Sequence, residues 1–327
     1  MPESPMPKVS VVIPNYNHAR FLRKRIDSVL QQTFQDFEVI LLDDCSTDDS
    51  RSIFSSYAGD PRVRIEFNDA NSGSTFKQWN KGVRLARGEY VRIAESDDYA
   101  DPRLLERLVA VLDADPQVIF AYCRSWRVSA DDQLDGFVES YSYYDQPRWA
   151  ADFLADGAEE CRNYFLSFNP VANASAVVFR RATYEQSGGA DEGFQYCGDW
   201  KLWAAMALAG RVAYLGEPLN YYRFHESSVR SKSKKRAVDV TEPLQVIRWI
   251  LQRVPLPESA VEKIYQAQAA CWVPLVISTH VPLGLKWTIL RHARALDPHP
   301  IRSAIRPGLA AIRLKFSRHW NSIRSRA

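Results

Sequence analysis

Cysteine is sparse in this chain, and its spacing excludes two common frameworks. The five thiols, Cys45, Cys123, Cys161, Cys197 and Cys271, show neither metal-ligand nor disulfide spacing, so they read as reduced residues of a cytoplasmic protein. Excess charge is lacking too. In 327 residues, 42 Lys and Arg face 39 Asp and Glu, a formal net charge of +3. General polyanion binding does not follow, and the near balance argues against a nucleic-acid partner. The longest apolar runs, WAAMALAG and CWVPLVISTHVPLGLKW, are short for a bilayer span, and the second contains two prolines, a histidine and a lysine. The segment MPESPMPKVS lacks the basic-then-apolar pattern of an export signal, so a cytoplasmic location is expected. An Asn-Ala-Ser match at 173–175 is then expected to stay unglycosylated. No internal repeat occurs. No GxxxxGK[ST] is present and no GxGxxG follows the first apolar run, which removes the usual P-loop and dinucleotide-binding designs.

What is present is alternation. KVSVVIP is a continuous valine-rich run that suits a strand buried on both faces. FEVILLDD, RVRIEF, EYVRIAESDD, VIFAYCRSWRV and ASAVVFRR read as further strands. The segment ARFLRKRIDSVLQQ places Phe21, Leu22, Ile26, Val29 and Leu30 on one helical face, and STDDSRSIFSSYA, TFKQWNKGVRLA and PRLLERLVAVLDAD also read as helices. Such alternation predicts an α/β fold with a parallel sheet covered by helices on both faces. From about 131 to 168 the pattern loosens. DWKLWAAMALAG reads as a helix ended by Gly210, RVAYLGEPLNYYRFH as one or two strands, and the polar run SKSKKRA as a boundary. The remainder, to residue 327, reads as helices. The expected organisation is therefore a domain over 1–230 and a helical extension over 231–327.

Ligands of such sheets sit beyond the carboxyl ends of the strands. Three of those ends read PNYN, DDCSTDD and ESDD, so two deliver acidic pairs into one crevice. Asp101 before Pro102 reads as a helix cap, which leaves Asp97 and Asp98, with Glu95 close by, unexplained. Adjacent carboxylates repel, and a hard divalent cation such as Mg²⁺ or Mn²⁺, shared with substrate phosphates, would neutralise them.

The succession VSVVIPNYN, LLDDCSTDDS, NSGSTFKQWNKG and ARGEYVRIAESDD resembles the family 2 glycosyltransferases of the GT-A fold, over roughly residues 8–230. The resemblance implies a Rossmann-like, mostly parallel sheet, with a nucleotide-binding half at about 8–130 and an acceptor half at about 131–230. It implies an inverting, metal-dependent transferase that takes a sugar from a nucleotide diphosphate-sugar. Carried onto this sequence, it assigns Asp98 to the metal and Asp97 to the donor ribose or sugar. Asp44 matches the acid that receives the nucleobase N–H, Pro14 and Asn17 the base pocket, and Asn71 and Gly73 a third donor loop. CGDWKLW is similar to the family's acceptor-side motif, in which Asp199 would be the general base, or else only a helix cap. Here Gly198 stands where the family carries a preceding acid. YYRFHESSV is similar to the element whose histidine, here His225, reaches the metal or the diphosphate. GGADEGF, with Gly188 and Gly189, matches the loop near the donor sugar.

The resemblance further implies a cell-envelope glycan or lipid-linked oligosaccharide as acceptor. Tyr141, Tyr143, Tyr144 and Trp149 would face the acceptor or pack as core. Two rival readings are a nucleotidyltransferase, disfavoured because VVIPNYNHARFL lacks a glycine-rich basic loop, and a non-catalytic nucleotide-sugar binder. After Asp297 no acid follows, while Arg302, Arg306, Arg313, Lys315, Arg318, Arg324 and Arg326 do. Leu309, Ile312, Phe316, Trp320 and Ile323 recur there at helical spacing. The tail reads either as a helix packed on the domain or as a peripheral contact with the anionic inner face of a membrane.

Overall fold

The structure, a computed structural model, describes residues 6–138, 147–225 and 238–305. The chain forms two compact units, Met1–Ser228 and Val229–Ala327.

In the first unit, β1 (Val9–Asn15), β2 (Phe37–Asp43), β3 (Val63–Phe67) and β4 (Tyr90–Ile93) alternate with α1 (Ala19–Leu30), α2 (Ser50–Ser55) and α3 (Thr75–Leu85). These four strands are parallel, with β1 between β2 and β4. The register pairs Asn15 with Asp43 and Val12 with Ile93, so their carboxyl ends finish on one edge. Every residue of β1 and β2 is buried, as expected for strands covered on both faces. Leu22, Ile26 and Val29 of α1 close one face over Val9, Val11 and Ile13. On the other face α3 comes close: a Cβ on Gly82 would lie 2.2 Å from a Val12 methyl, so only glycine fits there.

After β4 come β5 (Tyr99–Ala100), α4 (Leu104–Ala114), β6 (Val118–Val128), β7 (Leu134–Phe137), β8 (Phe153–Asp156), α5 (Gly157–Glu160), β9 (Val177–Arg180), α6 (Arg181–Gln186), α7 (Gly198–Ala207) and β10 (Arg211–Arg223). The sheet order is β3-β2-β1-β4-β9-β6-β10-β5, with β7 on β6 and β8 on β10. This half adds the antiparallel members of the mostly parallel sheet. Strand β9 lies antiparallel between β4 and β6, and β5, β7 and β8 are also antiparallel to their neighbours. An all-apolar run such as Val177–Phe179 looks the same in either direction, so its pattern encodes burial and not polarity. The expected strand over 89–98 stops at Ile93, and 95–98 turn back, with the Asp98 N–H on the Glu95 carbonyl at 3.2 Å. Asp101 accepts the Arg103 N–H at 2.9 Å, one turn ahead of regular helix.

The second unit holds α8 (Val238–Leu251), α9 (Glu258–Ile277) and α10 (Leu283–Leu296), with 300–305 also helical. Its interior is built from Leu244, Ile247 and Ile250, from Ala269, Trp272 and Val273, and from Ile289, Ala293 and Leu296. No helix among the described residues is long and apolar enough to cross a membrane.

Candidate active site

The turn after β4 separates the two adjacent aspartates. Asp98 is 1 % exposed. Its Oδ2 accepts hydrogen bonds from Asn173 Nδ2 at 2.8 Å and Ser175 Oγ at 2.7 Å, and its Oδ1 accepts the Arg223 backbone N–H at 2.9 Å. The guanidinium of Arg25, itself fully buried, stands 3.8 Å away. Asp98 thus ties α1, the segment before β9 and the end of β10 to the turn. Burial first, and the neighbouring Asp97 charge second, push its carboxyl upward. Asn173, the residue of the glycosylation match, is buried and spent on this contact.

Asp97 points the other way, toward two imidazoles. Its Oδ2 lies 2.8 Å from His225 Nε2. His18, at the start of α1, sets its ring 5.6 Å from that of His225, nearly perpendicular, and its Nδ1 pairs with Ser96 Oγ at 2.8 Å. Among the described residues, His18, Asp97 and His225 each offer one ligand atom within 4.8 Å of the others. Burial opposes ionisation of Asp97, but the hydrogen bond from His225 and the charge of His18 outweigh it and hold the carboxyl below its usual range. Two imidazoles and a carboxylate are donors that a divalent transition metal accepts, and the Ser96 bond fixes one ring as supporting contacts to metal ligands do. The expectation that placed Asp98 on the metal meets a carboxylate whose two oxygens are already engaged.

Glu95 completes the acidic side. Its Oε1 accepts Trp79 Nε1–H at 2.7 Å, and burial, then Asp97, push its carboxyl up to about 8. Trp79 and Trp203 are neighbours at 6.2 Å between ring centroids, so α3 links this acid to α7.

Arg223 ties the same region together from β10. Its Nε donates to the Asp97 carbonyl at 2.7 Å, its Nη1 to the Ser129 carbonyl at 2.8 Å, and its Nη2 to Asp132 Oδ1 at 2.5 Å. Beside it a cleft of about 300 Å³ is lined by Arg20, Phe21, Lys24, Asp131 and Asp132. Arg20 pairs with Asp131, and Lys24 with Asp132 at 3.0 Å.

On the β2 side the structure brings Asp44, Asn71 and Gly73 into one cluster. Asp44 Oδ1 accepts from Asn68 Nδ2 (2.6 Å), the Ser72 N–H (2.8 Å) and Gln78 Nε2 (3.0 Å), and Oδ2 from Ser72 Oγ (2.7 Å). Asn71 Nδ2 donates to the Asp44 carbonyl, and the Gly73 N–H to Asn71 Oδ1. Gly73 has φ of +70°, a conformation that favours glycine. Pro14 is buried in β1. Asn17, with φ of +57°, accepts the Thr47 N–H at 2.7 Å and so locks the loop after β1 to the loop after β2.

Asp199 lies in the first turn of α7, half-buried, and its Oδ2 accepts from Asn169 Nδ2 at 3.0 Å. The preceding Gly198 has a steric reason: a Cβ there would come within 2.5 Å of the Phe76 ring, so an acid at this position does not fit. Gly189, φ +73°, packs on Asn80 of α3, whose Oδ1 accepts Tyr184 Oη–H at 2.7 Å and the Ala190 N–H at 3.0 Å. Trp149 is core, edge-on to Tyr214 and Phe153. Tyr141, Tyr143 and Tyr144 fall outside the described residues. Sequence reasoning missed His18 and Arg25 and gave Glu95 no role. Each carried a signal: His18 directly follows PNYN, Glu95 sits two before Asp97, and Arg25 lies on the apolar stripe of α1.

The family model of glycosyl transferase family 2 matches residues 10–151. An uncharacterised glycosyltransferase of Nostoc sp. is 31% identical over 225 residues, 67% of this chain and 65% of that protein. The chain spans 20% and 65% of the length of the first curated relatives it matches. Among solved structures, Staphylococcus aureus TarS in complex with UDP-GlcNAc aligns with a TM-score of 0.68 at 18% identity, covering 93% of this chain and 90% of that one. The mannosyltransferase PcManGT of Pyrobaculum calidifontis, in complex with GDP-Man and Mn²⁺, aligns with a TM-score of 0.57 at 18% identity, covering 98% and 84%. The sheet and its helices are those of the GT-A fold. Residues 10–151 of the chain are thus similar to glycosyl transferase family 2, on a GT-A fold.

Proposed function

We propose that this crevice transfers a sugar from a nucleotide diphosphate-sugar to a hydroxyl acceptor, with inversion and with the help of a divalent cation. The observation that carries the reading is the convergence of His18, Asp97 and His225 where the loops after β1 and β4 meet the end of β10. The printed donors of the two structural neighbours, UDP-GlcNAc and GDP-Man, support the substrate class, and the Mn²⁺ of one supports the cation. Mg²⁺ prefers an octahedral oxygen shell and Mn²⁺ tolerates imidazole better, so the two-histidine set favours Mn²⁺ of the two. Such a cation, when bound, supplies positive charge to the departing diphosphate.

The chain's own residues divide the remaining work. His18, Asp97 and His225 hold the cation, and Asp98 positions the turn that carries Asp97. Glu95 accepts a hydrogen bond from a donor ribose or sugar hydroxyl. Asp44, with Asn71, Gly73, Pro14 and Asn17, forms the base side, where the nucleobase N–H competes with the Ser72 hydroxyl for Asp44 Oδ2. Gly189 lets its loop approach the donor sugar. Asp199 removes the proton from the acceptor hydroxyl as its oxygen attacks the anomeric carbon opposite the leaving diphosphate, and inversion follows from that placement. The acceptor is a glycan or a lipid-linked glycan of the cell envelope, a reading supported by the poly(ribitol-phosphate) in the name of the TarS relatives. The enzyme works in the cytoplasm, with its basic C-terminal tail against the inner leaflet.

Purified protein incubated with a panel of nucleotide sugars, with Mn²⁺ or with excess EDTA, tests this directly. Release of nucleoside diphosphate from one donor, dependent on the cation, is expected. Full release in EDTA would overturn the role given to the cation, and a retained anomeric configuration by NMR would overturn the placement of Asp199.

A further inference from the structure

Half of the large apolar side chains left exposed among the described residues belong to one short stretch. Of ten such residues, Ile277, Leu283, Trp287, Ile301 and Ile305 fall within 277–305. Leu283 and Trp287 are 73 % and 72 % exposed, one helical turn apart on α10. Single exposed apolar residues need no explanation, but a cluster does. The contrast with the neighbouring helix is direct: Trp272 of α9 is 6 % exposed and faces the unit's interior, whereas Trp287 faces outward.

The charge pattern around this cluster has one sign. No Asp or Glu occurs between Lys263 and Asp297, while Lys286, Arg291 and Arg294 do. On α10 the outward residues run Leu283, Trp287, Arg291, Arg294, apolar at the α9–α10 turn and basic behind it. The outward residues of α9 near the same turn, Ala270, Cys271, Pro274 and Ile277, are uncharged. A second copy of the chain is a poor occupant of this face, because a two-fold contact uses the same patch twice, and this patch offers no Asp or Glu between Lys263 and Asp297 to pair with Lys286, Arg291 and Arg294. An anionic leaflet neutralises them, accepts the apolar tip between acyl chains and places tryptophan at headgroup depth.

We propose that the α9–α10 hairpin is a membrane-docking element that presents Leu283 and Trp287 to the interface of an anionic bilayer, with Lys286, Arg291 and Arg294 on its headgroups. It rests on the membrane reading above and adds to it a folded surface distinct from the basic tail. Docking here would hold the enzyme at the depth of a lipid-linked acceptor without a membrane span.

Full-length protein is sedimented with phosphatidylcholine vesicles with and without phosphatidylglycerol. Binding to the anionic vesicles at low salt is expected. The double variant Leu283→Ser/Trp287→Ser should lower the partition coefficient at least about tenfold, while Trp287→Tyr, an interfacial aromatic, should retain most of it. Since both side chains are outward, the melting temperature of each variant should match wild type. A second full-length variant, Arg313→Gln/Lys315→Gln/Arg318→Gln, separates hairpin from tail. If it abolishes binding that the double variant retains, the hairpin inference falls and the tail reading stands. A double variant that binds as wild type overturns the inference, as does a wild-type dimer in sedimentation velocity that the double variant dissolves.

Discussion

Replacing each of the two adjacent aspartates by asparagine should give opposite phenotypes. In Asp98→Asn the buried side chain keeps its shape but loses its charge. Two donors, Asn173 Nδ2 and Ser175 Oγ, face one oxygen, and the Arg223 N–H faces the other. An asparagine has one oxygen, so in either orientation an NH₂ group meets a donor. A buried donor left without its acceptor costs about 1–3 kcal/mol. Arg25 also loses the carboxylate 3.8 Å from its Nη2, and removing one partner of a buried ion pair costs about 3–5 kcal/mol. These contributions overlap, so a loss of roughly 3–5 kcal/mol is expected, a large part of the about 5–15 kcal/mol that holds a typical protein folded.

In Asp97→Asn the amide oxygen can still accept from His225 Nε2, so the cost in stability should not exceed about 1 kcal/mol. The charged member of the His18–Asp97–His225 group disappears, however. Mn²⁺ affinity should fall more than about 100-fold, beyond the cost of losing a residue that merely supports a ligand. Urea unfolding read by circular dichroism gives the first quantity, and Mn²⁺ titration below the unfolding transition, followed by electron paramagnetic resonance, gives the second. An Asp98→Asn protein that unfolds as wild type yet no longer binds Mn²⁺, beside an Asp97→Asn protein that still binds it, would refute the division of roles.

Two further outcomes are expected. Glu95 has its carboxyl raised from 4.5 to about 8, by burial first and by Asp97 second; the folded state therefore binds more protons than the unfolded one between these values. Its contribution to stability is full below about 4.5 and is lost as pH rises through about 8, so metal-free wild type should lose stability relative to Glu95→Gln over that window, and parallel stability–pH curves for the two proteins would contradict the raised carboxyl. Asp199→Asn keeps the contact with Asn169 in reach but removes the base, so transfer should fall about 10²–10⁴-fold with donor affinity retained; near wild-type transfer would reduce Asp199 to a helix-turn residue.

The parallel half of the sheet was readable because its runs are long, continuously apolar and separated by amphipathic helices. Strand β9 was readable as a strand but not as an antiparallel one, since nothing in Val177–Phe179 has a direction. The three short strands β5, β7 and β8 gave no sequence signal, because two to four half-exposed residues carry neither a period nor a run.

The site shows the same division more sharply. That a pair of carboxylates at a strand end marks a crevice follows from their mutual repulsion and can be argued from adjacent letters. Which of the pair faces the crevice cannot, because the turn after Ile93 and donors 75 to 125 residues downstream decide it. A local clue to the answer did exist. Arg25 sits on the buried stripe of α1 and Arg92 in the buried strand β4, and both guanidinium groups converge on Ser175, Arg25 on its hydroxyl and Arg92 on its carbonyl. A charge inside an apolar stripe requires an internal partner, and a carboxylate that answers Arg25 has an internal contact to keep. Asp98 is that carboxylate, which leaves Asp97 for the imidazoles. An arginine interrupting a hydrophobic period near an acidic pair is therefore informative about the pair: it marks that one of the two acids is structural, and that the other is the one to test for metal.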